Sequence, residues 1–404
     1  GYFSIILVSC AENIVELNTL SGAEYVGILM DDARANRIAQ NTITAEDDGI
    51  YLTYCYENVV EGNVISGGYD GICLDYSNGN LLRRNAIDNV LSYAIYLGQS
   101  NDNRVYENEL RSLGGIGIQI DSCFADIQGN VMTDCAIVMN LRDVLEYDEV
   151  SSMVITDNNT VNGRPVLFIK DSDMNGAEAP TDLGEIILFN VARYKVAGLD
   201  LSHAGIIVAF SNNVTVDSND ITDAVAGIMV YISENCTFRG NAIRVLDAAS
   251  CDGAYGISIA RSVDNSIMEN TISLDSSSVG DYGISWYGVK LDLSNRNILF
   301  GNSIVASGAG TEGTYIGISG LDFSESSDNL IDGNIIESRI LSEHYGYGIT
   351  LSVACERNQI LRNTITGWPN TGIYMFGSSG TIIQGNTISG SGSYGIELYV
   401  CGNN

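Results

Sequence analysis

The chain alternates between short apolar runs and polar corners, and the alternation repeats. Runs such as Ile72-Cys-Leu74-Asp75 and Ile118-Gln-Ile120-Asp121 place apolar residues at every second position. Period two is the signature of a strand with one face buried. No segment carries the 3.6-residue stripe of an amphipathic helix. Each such run follows a Gly-Ile step: Gly27-Ile28, Gly49-Ile50, Gly71-Ile72, Gly117-Ile118, Gly205-Ile206, Gly227-Ile228, Gly256-Ile257, Gly283-Ile284, Gly317-Ile318, Gly348-Ile349, Gly372-Ile373 and Gly395-Ile396.

A second mark, Asn followed two residues later by Ile, Leu or Met, falls at Asn18, Asn41, Asn63, Asn85, Asn108 and Asn130, at intervals of 22 or 23 residues. It returns at Asn219, Asn241, Asn270, Asn302, Asn334, Asn363 and Asn386, with intervals of up to 32 residues that imply loops inserted at one corner. Another Asn stands five residues earlier, as at Asn13, Asn36, Asn58, Asn80 and Asn103, with a short apolar pair between. A unit of this length with three strands cannot bury its own apolar side, but stacked copies about 4.8 Å apart close a common core. The pattern therefore predicts an all-β, right-handed, single-stranded parallel β-helix of roughly sixteen coils over residues 1–404. Gly is expected where a Cβ would clash or φ must be positive. Asn is expected to take the left-handed conformation and to bond its copies above and below.

Two regions depart from the period. An irregular insertion is expected at about 134–205, which holds Pro165 and Pro180, and longer corner loops at about 244–350. The repeats resemble the parallel β-helix repeat family that includes NosD-like periplasmic proteins and many archaeal cell-surface proteins. The stretch Asn159–Phe168, reading Asn-Thr-Val-Asn-Gly-Arg-Pro-Val-Leu-Phe, is similar to a segment that interrupts the coils of the archaeal surface group. That family spans lyases, epimerases, hydrolases, adhesins and surface-layer components, so the resemblance implies the fold more sharply than the activity.

Charge narrows the partners. Nineteen Lys and Arg stand against 50 Asp and Glu, for a formal net charge of −31. Such a field repels phosphate backbones and excludes nucleic acid as a partner. No apolar run is long enough to span a membrane. No signal peptide is read, and the sequence starts at Gly1 without a Met. Nine cysteines show no metal-ligand spacing; Cys10, Cys55, Cys123 and Cys401 each lie five residues after a corner Ile, where small buried fillers are expected.

Candidate chemistry is sparse. Asp47, Asp48 and Asp70 crowd the turn before the Gly-Ile step and are the candidate metal ligands; no cofactor is expected, and Ca²⁺ is the ion these oxygens would take. Tyr51, Tyr96 and Tyr374 fall on the outer strand face, where aromatic rings suit sugar or protein contact. Asn158, Asn213 and Asn235 begin glycosylation sequons. Lys170, Arg193 and His203 would supply a base and charge neutralisation if the insertion carried catalysis. His344 stands in no recognised constellation.

Neither end reads as a polar cap, so self-association into a surface assembly or filament is expected. The sequence thus favours a non-catalytic extracellular structural or adhesive protein of a cell surface, sheath or filament, contacting carbohydrate. A polysaccharide lyase or epimerase acting on acidic sugars is the first alternative, and a NosD-like periplasmic accessory protein the second.

Overall fold

The computed structural model describes residues 1–245, 253–275, 285–308, 317–340 and 345–402. These form two compact units, residues 1–168 with 183–186, and residues 169–182 with 187–404. In each unit the chain winds through three parallel sheets, contributing one strand per coil to each.

In the first unit the Gly-Ile sheet runs from Phe3–Val8 to Ala136–Asn140 in seven strands. The second sheet, between the two asparagines, runs from Ile14–Glu16 to Val154–Ile155. The third begins at Thr19–Ala23 and reaches Thr160–Val161. Like residues stack in register: Ile28, Ile50, Ile72, Ile95 and Ile118 on the first sheet. All five are fully buried. Each contributes about 1.5–3 kcal/mol by leaving water. The second unit repeats the scheme, with eight-stranded second and third sheets from Lys195–Ala197 to Ile382–Gln384 and from Asp200–Ser202 to Thr387–Ser389.

The asparagines form two ladders. Asn63 Oδ1 accepts the backbone N–H and the side-chain amide of Asn41, both at 3.0 Å, while its own amide donates to Asn85 Oδ1 and to the Ile38 carbonyl, also at 3.0 Å. The second ladder runs unbroken from Asn18 to Asn130 and on to Asn159. Side chains thus continue the inter-coil bonding where the backbone turns a corner. The left-handed conformation expected of Asn lies one residue earlier: Glu57, Arg84, Glu107, Asp264 and Arg296 all have φ between 54° and 57°. The Asn must stay extended so that its own N–H reaches the next coil.

The Gly of the Gly-Ile step is selected by space. A Cβ on Gly49 would lie 2.4 Å from Ile65 Cγ2 and 2.6 Å from the Gly71 carbonyl oxygen. This rank corrects two sequence marks. Gly288 and Gly320 occupy it, with Ile257, Val289, Leu321 and Ile349 in register, so Gly317-Ile318 is not the corner. Gly283-Ile284 lies outside the described residues, as do His344, Cys251 and most of the loops expected between 244 and 350.

Within 134–205 much of the chain is regular coil. Ala136–Asn140, Val154–Ile155 and Thr160–Val161 pair in parallel with the coil before. Asn162 and Gly163 both take positive φ and reverse the chain into Arg164–Asp173, which pairs antiparallel with Thr160–Val161. That is the mirror-image hairpin turn an Asn-Gly pair favours.

Candidate functional site

On the Gly-Ile sheet each inward residue is fixed by stacking, which leaves the outward columns free to vary. In the first unit one column reads Leu29, Tyr51, Cys73, Tyr96 and Gln119 on successive coils. The next reads Asp31, Thr53, Asp75, Gly98 and Asp121. Just before the Gly, Asp48 and Asp70 occupy equivalent positions one coil apart, their carbonyls accepting the N–H of Gly27 and Gly49. The structure therefore brings Tyr51, Tyr96, Asp48 and Asp70 to one face, with Asp47 beside them. Cys73, a residue sequence reasoning passed over, sits in their midst.

Burial raises several acids of this face. Burial, then the charges of Asp70 and Asp47, push Asp48 up to about 8. Burial pushes Asp70 up to about 6 although its Oδ1 accepts the Tyr93 N–H at 2.9 Å. Burial pushes Tyr51 up to about 12 and raises Tyr96, whose hydroxyl is 3.4 Å from Asp121 Oδ2. Cys73 is held well above the usual thiol range by burial and the surrounding carboxylates. Among the described residues no group of three or more His, Cys, Asp and Glu is placed to hold a metal ion.

The same face of the second unit carries a different set. One outward column reads Tyr255, Tyr287, Ser319 and Tyr347; its neighbour reads Ser258, Lys290, Asp322, Thr350, Tyr374 and Glu397. The rings of Tyr255 and Tyr287 stack with centroids 5.5 Å apart and planes 7° from parallel. Lys290 Nζ lies 4.3 Å from the Tyr287 centroid and 5.6 Å from that of Tyr255. Tyr347 and Tyr374 meet at 5.2 Å. The sequence pattern shows Tyr374 but hides Lys290 and Asp322, because Gly283-Ile284 and Gly317-Ile318 read as corners where Gly288 and Gly320 hold the rank. Counting two residues on from each Gly of the true rank finds them.

The insertion residues do not converge. Arg193 pairs with Asp173 at the bend between its first and second strands, and its guanidinium also donates to Asn175 Oδ1. His203 stands at another bend, after Asp200–Ser202, with Nδ1 2.9 Å from the Ser202 hydroxyl. Lys170 lies in the strand Arg164–Asp173. The sequon asparagines Asn158, Asn213 and Asn235 are all exposed at corners, each followed two residues later by the Thr that opens a strand. The described cysteines are free thiols. Cys55, Ser77 and Ser100 fill one buried rank, each hydroxyl accepting the backbone N–H of the coil before, so Cys and Ser share a ladder position.

The chain belongs to the right-handed β-helix region family, which it matches over residues 4–161, 204–367 and 314–404. No curated protein matches it. Among solved structures, a mutant of the periplasmic alginate epimerase AlgG is 14% identical, covering 92% of this chain and 78% of its own, with a TM-score of 0.38. The Streptococcus pneumoniae surface protein and adhesin PfbA is 13% identical, covering 90% and 91%, with a TM-score of 0.36. A mutant tailspike protein of E. coli bacteriophage HK620, in complex with a pentasaccharide, is 9% identical, covering 96% and 72%, with a TM-score of 0.28. At such identities the likeness concerns the fold alone. No helix among the described residues is long and apolar enough to cross a membrane.

Proposed function

We propose that this protein is a non-catalytic, extracellular structural or adhesive β-helix of a cell surface, sheath or filament, contacting polysaccharide through the outward face of the Gly-Ile sheet. The observation that carries the reading is the repeated presentation of half-buried tyrosines one or two coils apart on that face, beside carboxyls and a thiol whose protons burial holds more tightly than usual. Flat rings and neutral donors suit the apolar faces and hydroxyls of a sugar chain. Self-association is part of the proposal.

The competing reading is a lyase or epimerase acting on acidic sugars, favoured by Lys290 beside Asp322 on the same face. A glycan array read with the wild type and with Tyr51→Ala and Tyr347→Ala tests the first reading. Binding that each variant weakens is the expected result; no glycan bound, or binding indifferent to both tyrosines, removes the carbohydrate clause. Unsaturated products from a uronate polymer would transfer the case to the lyase.

A further inference from the structure

Lys290 is a cation on the outward Gly-Ile face of a strongly acidic chain, and its position is built. The ammonium rests over two parallel tyrosine rings, so the side chain is extended across the face and partly stripped of water. Its register partner on the next coil is Asp322, and Thr350 follows one coil on. Asp292 stands two residues beyond Lys290 on the same strand and is nearly buried. Tyr347 lies two coils from Tyr287 in the ring column, about 9.6 Å away at the usual strand spacing, and touches Tyr374. A cation and a free aromatic surface at that separation match a short oligosaccharide with a carboxylate on one residue and a ring face on the next.

We propose that Lys290 and Asp322 form a proton-gated anchor for the carboxylate of an acidic sugar, with Tyr347 and Tyr374 receiving the adjoining ring. This rests on the reading of the Gly-Ile face as a sugar-contacting surface. When Asp322 is ionised it neutralises Lys290 and repels an incoming carboxylate. When Asp322 is protonated its hydroxyl donates to that carboxylate while Lys290 supplies the opposing charge. The charged or titratable groups facing Asp322 are Lys290 and Asp292 on the preceding strand and Cys355 beyond the following one. Burial pushes Asp322 up, Lys290 pulls it down and Asp292 raises it, to about 6. A sugar carboxylate stays ionised through that range, so only the protein's side of the pair switches.

Isothermal titration of the full chain with trigalacturonate, and with maltotriose as the neutral control, tests the gate. If only the Asp322-protonated form binds, affinity for the uronate rises roughly thirtyfold from about pH 7.5 to about pH 5. Asp322→Asn is expected to bind at about pH 7.5 as tightly as the wild type does at about pH 5, and to lose the pH profile. Lys290→Met abolishes uronate binding at both pH values, Lys290→Arg retains it, and maltotriose is indifferent to all three changes. Trp286 fluorescence confirms that each variant is folded. A flat wild-type profile, a pH dependence that survives in Asp322→Asn, or uronate binding that survives in Lys290→Met overturns the gate. If maltotriose still binds in a tyrosine-dependent way, the broader reading stands without it. If neither sugar binds at any pH, both fall.

Discussion

Replacing one asparagine in the middle of a ladder should cost far more than replacing one at its edge. Asn302 is fully buried. Its Oδ1 accepts the backbone N–H and side-chain amide of Asn270 at 3.0 and 2.9 Å. Its own amide donates to Asn334 Oδ1 at 2.9 Å and to the Ile267 carbonyl at 2.8 Å. Asn302→Ala removes all four bonds. The Asn270 amide keeps the Phe238 carbonyl and Asn334 Oδ1 keeps the backbone N–H of residue 302, so those two groups stay satisfied. The Ile267 carbonyl stays in its paired strand and loses one donor, whereas the Asn270 backbone N–H loses its acceptor. At about 1–3 kcal/mol for a buried group so deprived, and about 1 kcal/mol more for the other bonds lost, the loss is about 3 kcal/mol. Asn18 sits at the edge of the other unit's ladder, half-buried, with its amide bonded to Asn41 Oδ1 and the Glu16 carbonyl. Water can replace those contacts, and Asn18→Ala should cost about 1 kcal/mol or less. Urea unfolding followed by far-UV circular dichroism, with Trp286 and Trp368 fluorescence reporting on the second unit, gives both numbers. Asn302→Asp adds a sign. Its acceptor bonds survive, but a buried carboxylate facing Asn334 Oδ1 with no cation is raised above its unfolded value. The folded state then holds the proton longer, so stability is greatest in acid and falls as pH rises past about 3.9. A loss below about 1 kcal/mol at Asn302, or equal losses at Asn302 and Asn18, would refute the ladder as a source of stability.

Gly288→Val should destabilise by about 3 kcal/mol or more, because a Cβ there meets the Gly320 carbonyl oxygen at 2.4 Å and Ile304 Cγ2 at 2.5 Å. Gly79→Ala, at φ +68° with open space around it, should lose only about 1–2 kcal/mol. Thermal melts that rank the two the other way would contradict the packing argument. Glu185 is fully buried, with Oε2 accepting the Ile137 N–H at 3.2 Å and Oε1 without a partner, and burial pushes it up to about 8. The unfolded chain releases this proton near about 4.3, so between there and 8 the unfolded state binds fewer protons and stability falls by about 1.4 kcal/mol per pH unit. Glu185→Gln should remove that slope; a denaturation midpoint whose pH dependence is unchanged would show that Glu185 does not carry it.

The sequence revealed the coil because the coil's constraints are local and repeat. An Asn every 22 or 23 residues and a Gly before each inward Ile can be counted without coordinates. What it misplaced depends on contacts between coils. The left-handed residue was assigned to Asn since Asn tolerates that conformation, yet Glu57, Arg84 and Arg296 adopt it instead. Their side chains point into water there, while the Asn is needed extended. Gly283 and Gly317 read as corners because an Ile follows each; Val289 and Leu321 fill the same inward position after Gly288 and Gly320, and only register separates the two choices. That slip concealed Lys290 and Asp322. The tyrosines and carboxylates of the first unit were found one by one, but their grouping about Cys73 required knowing which residues share a column.

Stacking also imposes a rule on charge, and its exceptions mark the face where function is proposed. Equivalent residues recur about 4.8 Å apart, so a charged position meets its own copy on the next coil. At the corner before the first Asn of the second unit the sign alternates: Asp264, Arg296, Asp328, Arg357, with ion pairs at 2.8 Å between Asp264 and Arg296 and 2.7 Å between Asp328 and Arg357. In the first unit Glu61 pairs with Arg83, its register partner, and with Arg37, which stands two residues off its rank on the preceding coil, and their hydrogen bonds hold its carboxyl below the usual range against the effect of burial. Exposed pairs of this kind add little stability, about 0–1 kcal/mol each. Their effect is to cancel the repulsion that like charges in one rank would suffer. Asp48 over Asp70 breaks the alternation: two carboxyls share one rank, and burial, with the charge of Asp70 added at Asp48, raises both. Nothing in the stacking of coils requires carboxyls there, since Val26 and Tyr93 fill the same rank on the coils to either side. A position that departs from its neighbours' solution at an electrostatic cost, and does so beside Tyr51, Cys73 and Tyr96, is better explained by a ligand it must meet than by the fold it must hold.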